Sequence, residues 1–142
     1  MARIVLTDVQ AIFNASDDLS DHIASITLQS TYDVLETTAF AGGLVPNAAK
    51  TRIPGLVDNS VTFEFHQDFA AASVDAILSA ALGTTIPVKV RPTTGAISAT
   101  NPEYQFNAVI SDYTPLAGAV GELSTVSVTF PITGAIVKDV TP

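Results

Sequence analysis

Cysteine and tryptophan are absent from this 142-residue chain, and methionine occurs once. Without cysteine there are no disulfides and no thiolate metal sites, so packing and hydrogen bonds hold the fold; a cytosolic assembly suits this without being required by it. Without tryptophan, and with three tyrosines at positions 32, 104 and 113, the chain lacks the aromatic platform that a carbohydrate-binding β-sandwich needs. Positive charge is scarce as well: six Lys and Arg stand against 14 Asp and Glu, for a net charge of −8. The basic residues are scattered, at Arg3, Lys50, Arg52, Lys89, Arg91 and Lys138. No clustered footprint exists to grip nucleic-acid phosphates. An acidic surface instead repels a polyanion and lets it pass.

Long apolar runs are missing too. The longest uncharged stretch, Leu123 to Val137, is interrupted by Pro131 and Gly134 and falls short of the roughly 18 to 20 apolar residues of a membrane helix. The segment Met1 to Asp8 has too short an apolar run for a secretory signal. These features predict a soluble chain with no membrane partner, folded as one domain over residues 1–142, with candidate arms at 1–8 and 135–142.

Catalytic motifs are equally sparse. There is no Gly-rich phosphate loop, no Gly-x-Ser-x-Gly elbow and no cysteine nucleophile. The histidines are His22, in an acidic turn beside Asp21, and His66, on the polar face of a strand two residues from Asp68. His66 and Asp68 lack the third and fourth ligands that a metal site needs. Asp17, Asp18 and Asp21 lack the spacing and the closing glutamate of an EF-hand, so they read as a solvated turn. Asn14-Ala15-Ser16 matches a glycosylation sequon, which matters only on a secreted chain. The expectation is a protein that is not an enzyme, with no catalytic, cofactor or metal site.

What the chain has in quantity is apolar surface and alternation. Hydrophobic residues make up 47% of it and charged residues 14%, and a mean hydropathy of +0.39 points to apolar surface that meets another subunit. Asn59 to His66 puts Val61, Phe63 and Phe65 on one face and Ser60, Thr62, Glu64 and His66 on the other, the period of a half-buried strand. Ile23 to Ser30, Ile86 to Val90, Tyr104 to Ser111 and Leu123 to Phe130 alternate likewise, and Val9 to Asn14 and Ile136 to Val140 are shorter candidates. Tyr32 to Phe40 alternates weakly and reads as a separate strand. Between them, Val74, Ile77, Leu78, Ala81 and Leu82 recur at helical spacing, predicting one helix from about Asp68, as N-cap, to Leu82, with Gly83 just past its end. Pro54-Gly55 predicts a chain reversal, and Ala41 to Pro54 an aperiodic loop. The fold class expected is mainly β, a sandwich or barrel of about seven to nine strands with one flanking helix.

Four segments, in order, resemble the major tail proteins that build the tail tube of long-tailed bacteriophages. They are Asp18-Leu19-Ser20-Asp21-His22-Ile23 leading into Ile26-Thr27-Leu28; Thr51-Arg52-Ile53-Pro54-Gly55-Leu56; Val61-Thr62-Phe63-Glu64-Phe65 with Gln67-Asp68-Phe69-Ala70-Ala71; and Ala99-Thr100-Asn101-Pro102-Glu103-Tyr104. The resemblance implies a β-sandwich with a helix on one flank, in homo-hexameric rings stacked into a tube in the virion tail, assembled in the host cytoplasm. It implies a tape-measure protein and tail terminator and initiator proteins as partners, and DNA passing through the lumen without specific binding. In such proteins the loop between early strands reaches a neighbouring subunit or ring, which here maps to Ala41 through Leu56, with Gly42, Gly43, Leu44, Val45, Pro46, Lys50 and Arg52 as contact candidates. Asp33 and Glu36 are candidates for the lumen wall. With no outer immunoglobulin-like domain after Pro142, a smooth tube is expected. The alternative is another β-rich virion component, a tail-completion or capsid-decoration protein.

Overall fold

The structure is a computed structural model that describes residues 3–39 and 49–142. Among the described residues it has seven strands and one α-helix: β1 Gln10–Phe13, β2 Asp17–Asp18, β3 Ile23–Glu36, β4 Arg52–His66, α1 Val74–Ala81, β5 Thr85–Arg91, β6 Glu103–Val109 and β7 Thr125–Asp139. All pairings are antiparallel, in one sheet of order β2-β1-β5-β6-β7-β4-β3. The chain is mainly β with one helix, as its alternation predicts. Its sheet is open, with β2 at one edge and the long β3 at the other.

The sheet nevertheless curls strongly. Three strands separate β1 from β4, so in a flat sheet the two would lie roughly 19 Å apart. Yet the ring centroid of Phe13 on β1 lies 5.2 Å from that of Phe63 and 6.0 Å from that of Phe65, both on β4. Phe63 also meets Phe65 at 5.4 Å and Phe130 of β7 at 6.3 Å. These four buried rings, with Val61, Val88, Val126 and Val128, form the axis around which the strands wrap. One turn of the short helix, at Val74 and Leu78, is buried against the same core.

Several local readings of the sequence change. Ile23 to Ser30 and Tyr32 to Phe40 are not two strands; one 14-residue strand runs from Ile23 to Glu36. The Pro54-Gly55 reversal is absent, because both residues lie inside the 15-residue β4. Tyr32 pairs with Val57 and Val34 with Pro54, so Gly55 and Leu56 together oppose Asp33, forming a β-bulge. Proline is tolerated at such an interruption, where its missing N–H leaves little unpaired. Gly55 keeps ordinary extended backbone and serves close approach instead, since an added Cβ would lie 3.2 Å from the Cβ of Asp33. The Ala41 to Pro54 loop therefore ends sooner, at Thr51, and its residues 41–48 lie outside the described part. Ile136 to Val140 is no separate strand: residues 135–139 of the candidate arm belong to β7, which passes through Pro131 and Gly134.

The helix is shorter than predicted, starting at Val74. Asp68 does not cap it. Its Oδ1 accepts the Ala70 N–H at 2.9 Å, its Oδ2 the Ser73 hydroxyl at 2.8 Å, and its carbonyl the Asp75 N–H at 3.1 Å. The aspartate thus organises a separate turn ahead of the helix. Gly83, at φ +83°, ends α1 as expected, and its N–H donates to the Ile110 carbonyl at 2.7 Å.

Candidate assembly surfaces

The pairing of β4 changes along its length. From Asn59 to Phe65 it is flanked on both sides, by β3 and by β7; from Arg52 to Asp58 it pairs, among the described residues, with β3 alone. Residues 31–36 and 52–58 therefore form a two-stranded ribbon that extends roughly 20 Å beyond the last β4–β7 pair, at about 3.3 Å per residue. A free two-stranded ribbon is marginal in water. This one exposes Tyr32, Val34, Leu35, Ile53, Leu56 and Val57. Alternation puts Tyr32 and Val34 on one face and Leu35 on the other, so both faces are apolar. A surface of that kind in a folded chain marks contact with another molecule.

Two charged residues of the ribbon, Glu36 and Arg52, sit at its outer end, while Asp33 lies midway and Asp58 at its base. Arg52 opposes Glu36 in the ladder, and Lys50 Nζ lies 4.0 Å from Glu36 Oε1. Beyond them the Thr37 N–H donates to the Thr51 carbonyl at 2.8 Å, and the two threonine hydroxyls bond at 2.8 Å. Of the contact candidates, Lys50 lies just before β4 and Arg52 is its first residue, not a loop residue. Gly42, Gly43, Leu44, Val45 and Pro46 lie outside the described residues. Asp33 and Glu36 are both exposed. Three positions apart on one extended strand, they face opposite sides of the ribbon.

A second apolar surface lies at the other end of β4. The connection from β6 to β7 exposes Leu116, Val120 and Leu123, and Phe69 is exposed in the turn after β4. Polar clamps hold this surface. Gln67 Nε2 donates to the Pro115 carbonyl at 2.7 Å and to the Tyr113 hydroxyl at 3.0 Å, and that hydroxyl donates to Asp75 Oδ1 at 2.6 Å. The Gln67 N–H also donates to the Ser124 carbonyl at 3.0 Å. Burial, together with the bond to Asp75, pushes the Tyr113 hydroxyl above its ordinary pKa. The signal in the sequence was Leu, Ala and Val interleaved with Gly118 and Gly121 where a solvated loop would be polar.

Between the β3 edge and the other side of the curled sheet lies an apolar cavity of about 360 Å³, lined by Leu6, Val9, Ile26, Leu28, Tyr104 and Ile136 among others. Arg91 lies on its wall and pairs with the buried Glu103, Nε to Oε2 at 3.3 Å. The N-terminal segment is tied there as well, through Asp8 Oδ2, which accepts the Thr94 hydroxyl at 2.7 Å.

The titratable residues singled out in the sequence do not converge on a reaction centre. It is His22, not His66, that meets Asp68: its Nε2 lies 3.5 Å from Asp68 Oδ2 and 3.2 Å from the Ser73 hydroxyl. One ring nitrogen serves both neighbours, so the imidazole does not bridge hydroxyl and carboxylate as a proton relay requires. The group instead ties the 3-10 turn Ser20–His22 to the turn before α1. The Ala70 N–H, followed by the Ser73 hydroxyl, holds the Asp68 carboxyl below the usual range. At Asp18 burial opposes ionisation, and the bonds from Ser20 outweigh it to lower the pKa. Among the described residues no three His, Asp or Glu side chains gather to hold a metal ion, and no helix is long and apolar enough to cross a membrane.

Against known proteins, no family model matches this chain and no curated protein matches it in sequence. Its fold, however, is that of a chain in the 6-fold symmetrised cryo-EM structure of the anti-feeding prophage (AFP) baseplate. The two superpose with a TM-score of 0.56 over 97% of each chain, at 13% identity. The class defined is thus a curled, open antiparallel sheet with one helix, found also in a phage-like tail baseplate.

Proposed function

We propose that this chain is a structural subunit of a phage-type tail, forming hexameric rings that stack into the tail tube, with no catalytic role. The observation that carries this reading is the two-stranded ribbon, apolar on both faces, projecting from a sheet whose 14-residue edge strand β3 has, among the described residues, no partner along its outer side. An edge of that length is an aggregation hazard in a monomer and a joining element in a ring. The shared fold with a baseplate chain supports the same reading, as does the net charge of −8 on a chain expected to surround passing DNA. In this role the partners are further copies of itself, a tape-measure protein within the tube and terminator and initiator proteins at its ends. The site of action is the virion tail or a tail-like particle, after assembly in the host cytoplasm.

Negative-stain microscopy of the purified protein tests the proposal. Rings of uniform diameter with six-fold end views, extending into tubes, are the expected result. A monodisperse monomer at every concentration would overturn it. The baseplate origin of the similar chain favours a second reading, a single ring layer at the end of the tube, which predicts closed rings that do not extend. A tail-completion or capsid-decoration role has no comparable support, and decoration predicts trimers on a shell.

A further inference from the structure

The sheet curls until its two edges approach each other, and the seam between them is stitched at one end. Residues 19–22 alone carry the chain from β2 at one edge to β3 at the other. There the Leu19 N–H donates to the Ala11 carbonyl at 3.2 Å, and the Ala11 N–H donates to the Ser20 hydroxyl at 2.9 Å. Past that stitch the seam holds two cavities, of about 360 and 440 Å³; Leu6 and Val9 of the N-terminal segment and Ile26 of β3 line both. The N-terminal segment is pinned at Asp8, whose Oδ2 accepts the Thr94 hydroxyl at 2.7 Å and the Thr94 N–H at 3.3 Å. Thr94 sits in a turn fixed by the buried Asn101: its Nδ2 donates to the Gly95 and Ala96 carbonyls, both at 3.1 Å, and its Oδ1 accepts the Thr93 N–H at 3.1 Å. Ahead of the pin, Ile4, Val5 and Leu6 are exposed at 55%, 79% and 57%. Among the described residues no backbone hydrogen bond holds Arg3 to Thr7.

We infer that Arg3 to Thr7 is a strap hinged at Asp8, which closes over the free edge of β3 within the unassembled subunit and guards that edge until a neighbour claims it. Direction permits the closure. Five antiparallel pairings lead from β1 to β3, through β5, β6, β7 and β4, and an odd number leaves β1, with the chain that enters it, antiparallel to β3. Length permits it too, since five extended residues span roughly 17 Å, matching Ile26 to Ser30. Side chains then fall into place. With Leu6 opposite Ile26, Ile4 lies opposite Leu28, on the face where Ile26 and Leu28 pair with Phe63 and Val61 of the core; Val5 and Thr27 form an outward pair. Closing buries exposed Ile and Leu and gives partners to a strand edge that otherwise recruits any passing strand. The guard role rests on the tube-subunit proposal, in which β3 joins a neighbour; the closure itself does not.

A thiol pair tests this. The chain has no cysteine, so Val5→Cys/Thr27→Cys introduces the only two thiols, at exposed positions that a closed ladder brings within disulfide reach. Mild oxidation of the dilute subunit should join them within one chain, seen as a faster-migrating monomer that reduction reverses. Val5→Cys/Ser127→Cys is the control, because Ser127 is exposed on β7, with β4 between it and β3. If the Thr27 pair joins no faster than the Ser127 pair, the strap does not close and the inference is wrong. The joined form removes the competent open subunit, so it should need about tenfold or more protein to assemble, and reduction should restore the wild-type threshold. A joined form that assembles as the wild type does refutes the guard role. Should a double variant not fold by circular dichroism, hydrogen exchange decides: a chain lacking Met1 to Leu6 should exchange the edge-side amides of Ser25 to Ser30 severalfold faster than the wild type, and equal rates refute closure. Wild-type protein that never assembles overturns the proposed function itself, and the thiol pair still decides whether the strap closes.

Discussion

Phe63 touches three other rings, on β1, β4 and β7, so it joins strands that the sheet order keeps far apart. Removing it leaves a cavity that neighbouring backbone cannot close, because that backbone is fixed on both sides by ladder hydrogen bonds. Phe63→Ala should cost about 3–5 kcal/mol, read as a lower urea midpoint. A loss below about 1 kcal/mol would mean the curl is held elsewhere. Asp68 acts through its charge. Its folded pKa is depressed below the ordinary 3.8, so its contribution is full above that value and is lost as pH falls through the folded pKa. Asp68→Asn should therefore show a shallower fall in stability below about pH 4, in urea titrations from pH 5 down to pH 2. An acid limb identical to the wild type would count against this assignment.

At the scale of elements, the ribbon is separable from the body. Tyr32 and Val57 are a facing pair in the ladder, so replacing residues 33–56 with Asn-Gly should close a two-residue hairpin there. The melting temperature should move only a few degrees while assembly is lost; a variant that still assembles would deny the ribbon its contact role. Strands with one buried face, such as the stretch Asn59 to His66, were legible because a core imposes period 2 on side chains. The ribbon was not, since with no core on either face nothing imposes alternation, and Tyr32 to Phe40 read as a weak strand of its own. Pro54-Gly55 misled for a related reason. A bulge and a turn use the same two residues, and only the partner strand distinguishes them. The clamped loop could not be read either, because Gln67 reaches Tyr113 and Pro115 across more than forty residues of sequence.

For the whole molecule, the open sheet and the division of charge follow from the order in which strands are laid down. The connections at the end where β4 finishes hold Asp17, Asp18, Asp21, Asp68, Asp75, Asp112 and Glu122 and no lysine or arginine, while the basic residues lie in the other half beside as many carboxylates, so a scattered-looking distribution in the sequence becomes a polar object in space. Composition alone showed the imbalance and the excess of apolar surface; topology was needed to assign each to an end. Ring formation, if it pairs the outer side of β3, should protect its amides from hydrogen exchange on assembly, while the Phe63 to Phe65 amides, paired on both sides already, should be slow throughout.

The continuity of β4 has a mechanical side. The same strand passes from the exposed ribbon into the aromatic core, where Asn59 to Phe65 is bonded to a neighbour on each flank. A pull on the ribbon along the strand axis loads those bonds in parallel, as shear, so that they yield together or not at all; a pull across the axis would unzip them one by one. A chain of such subunits joined end to end would therefore be stiff and strong in tension along its length, and weakest when peeled sideways.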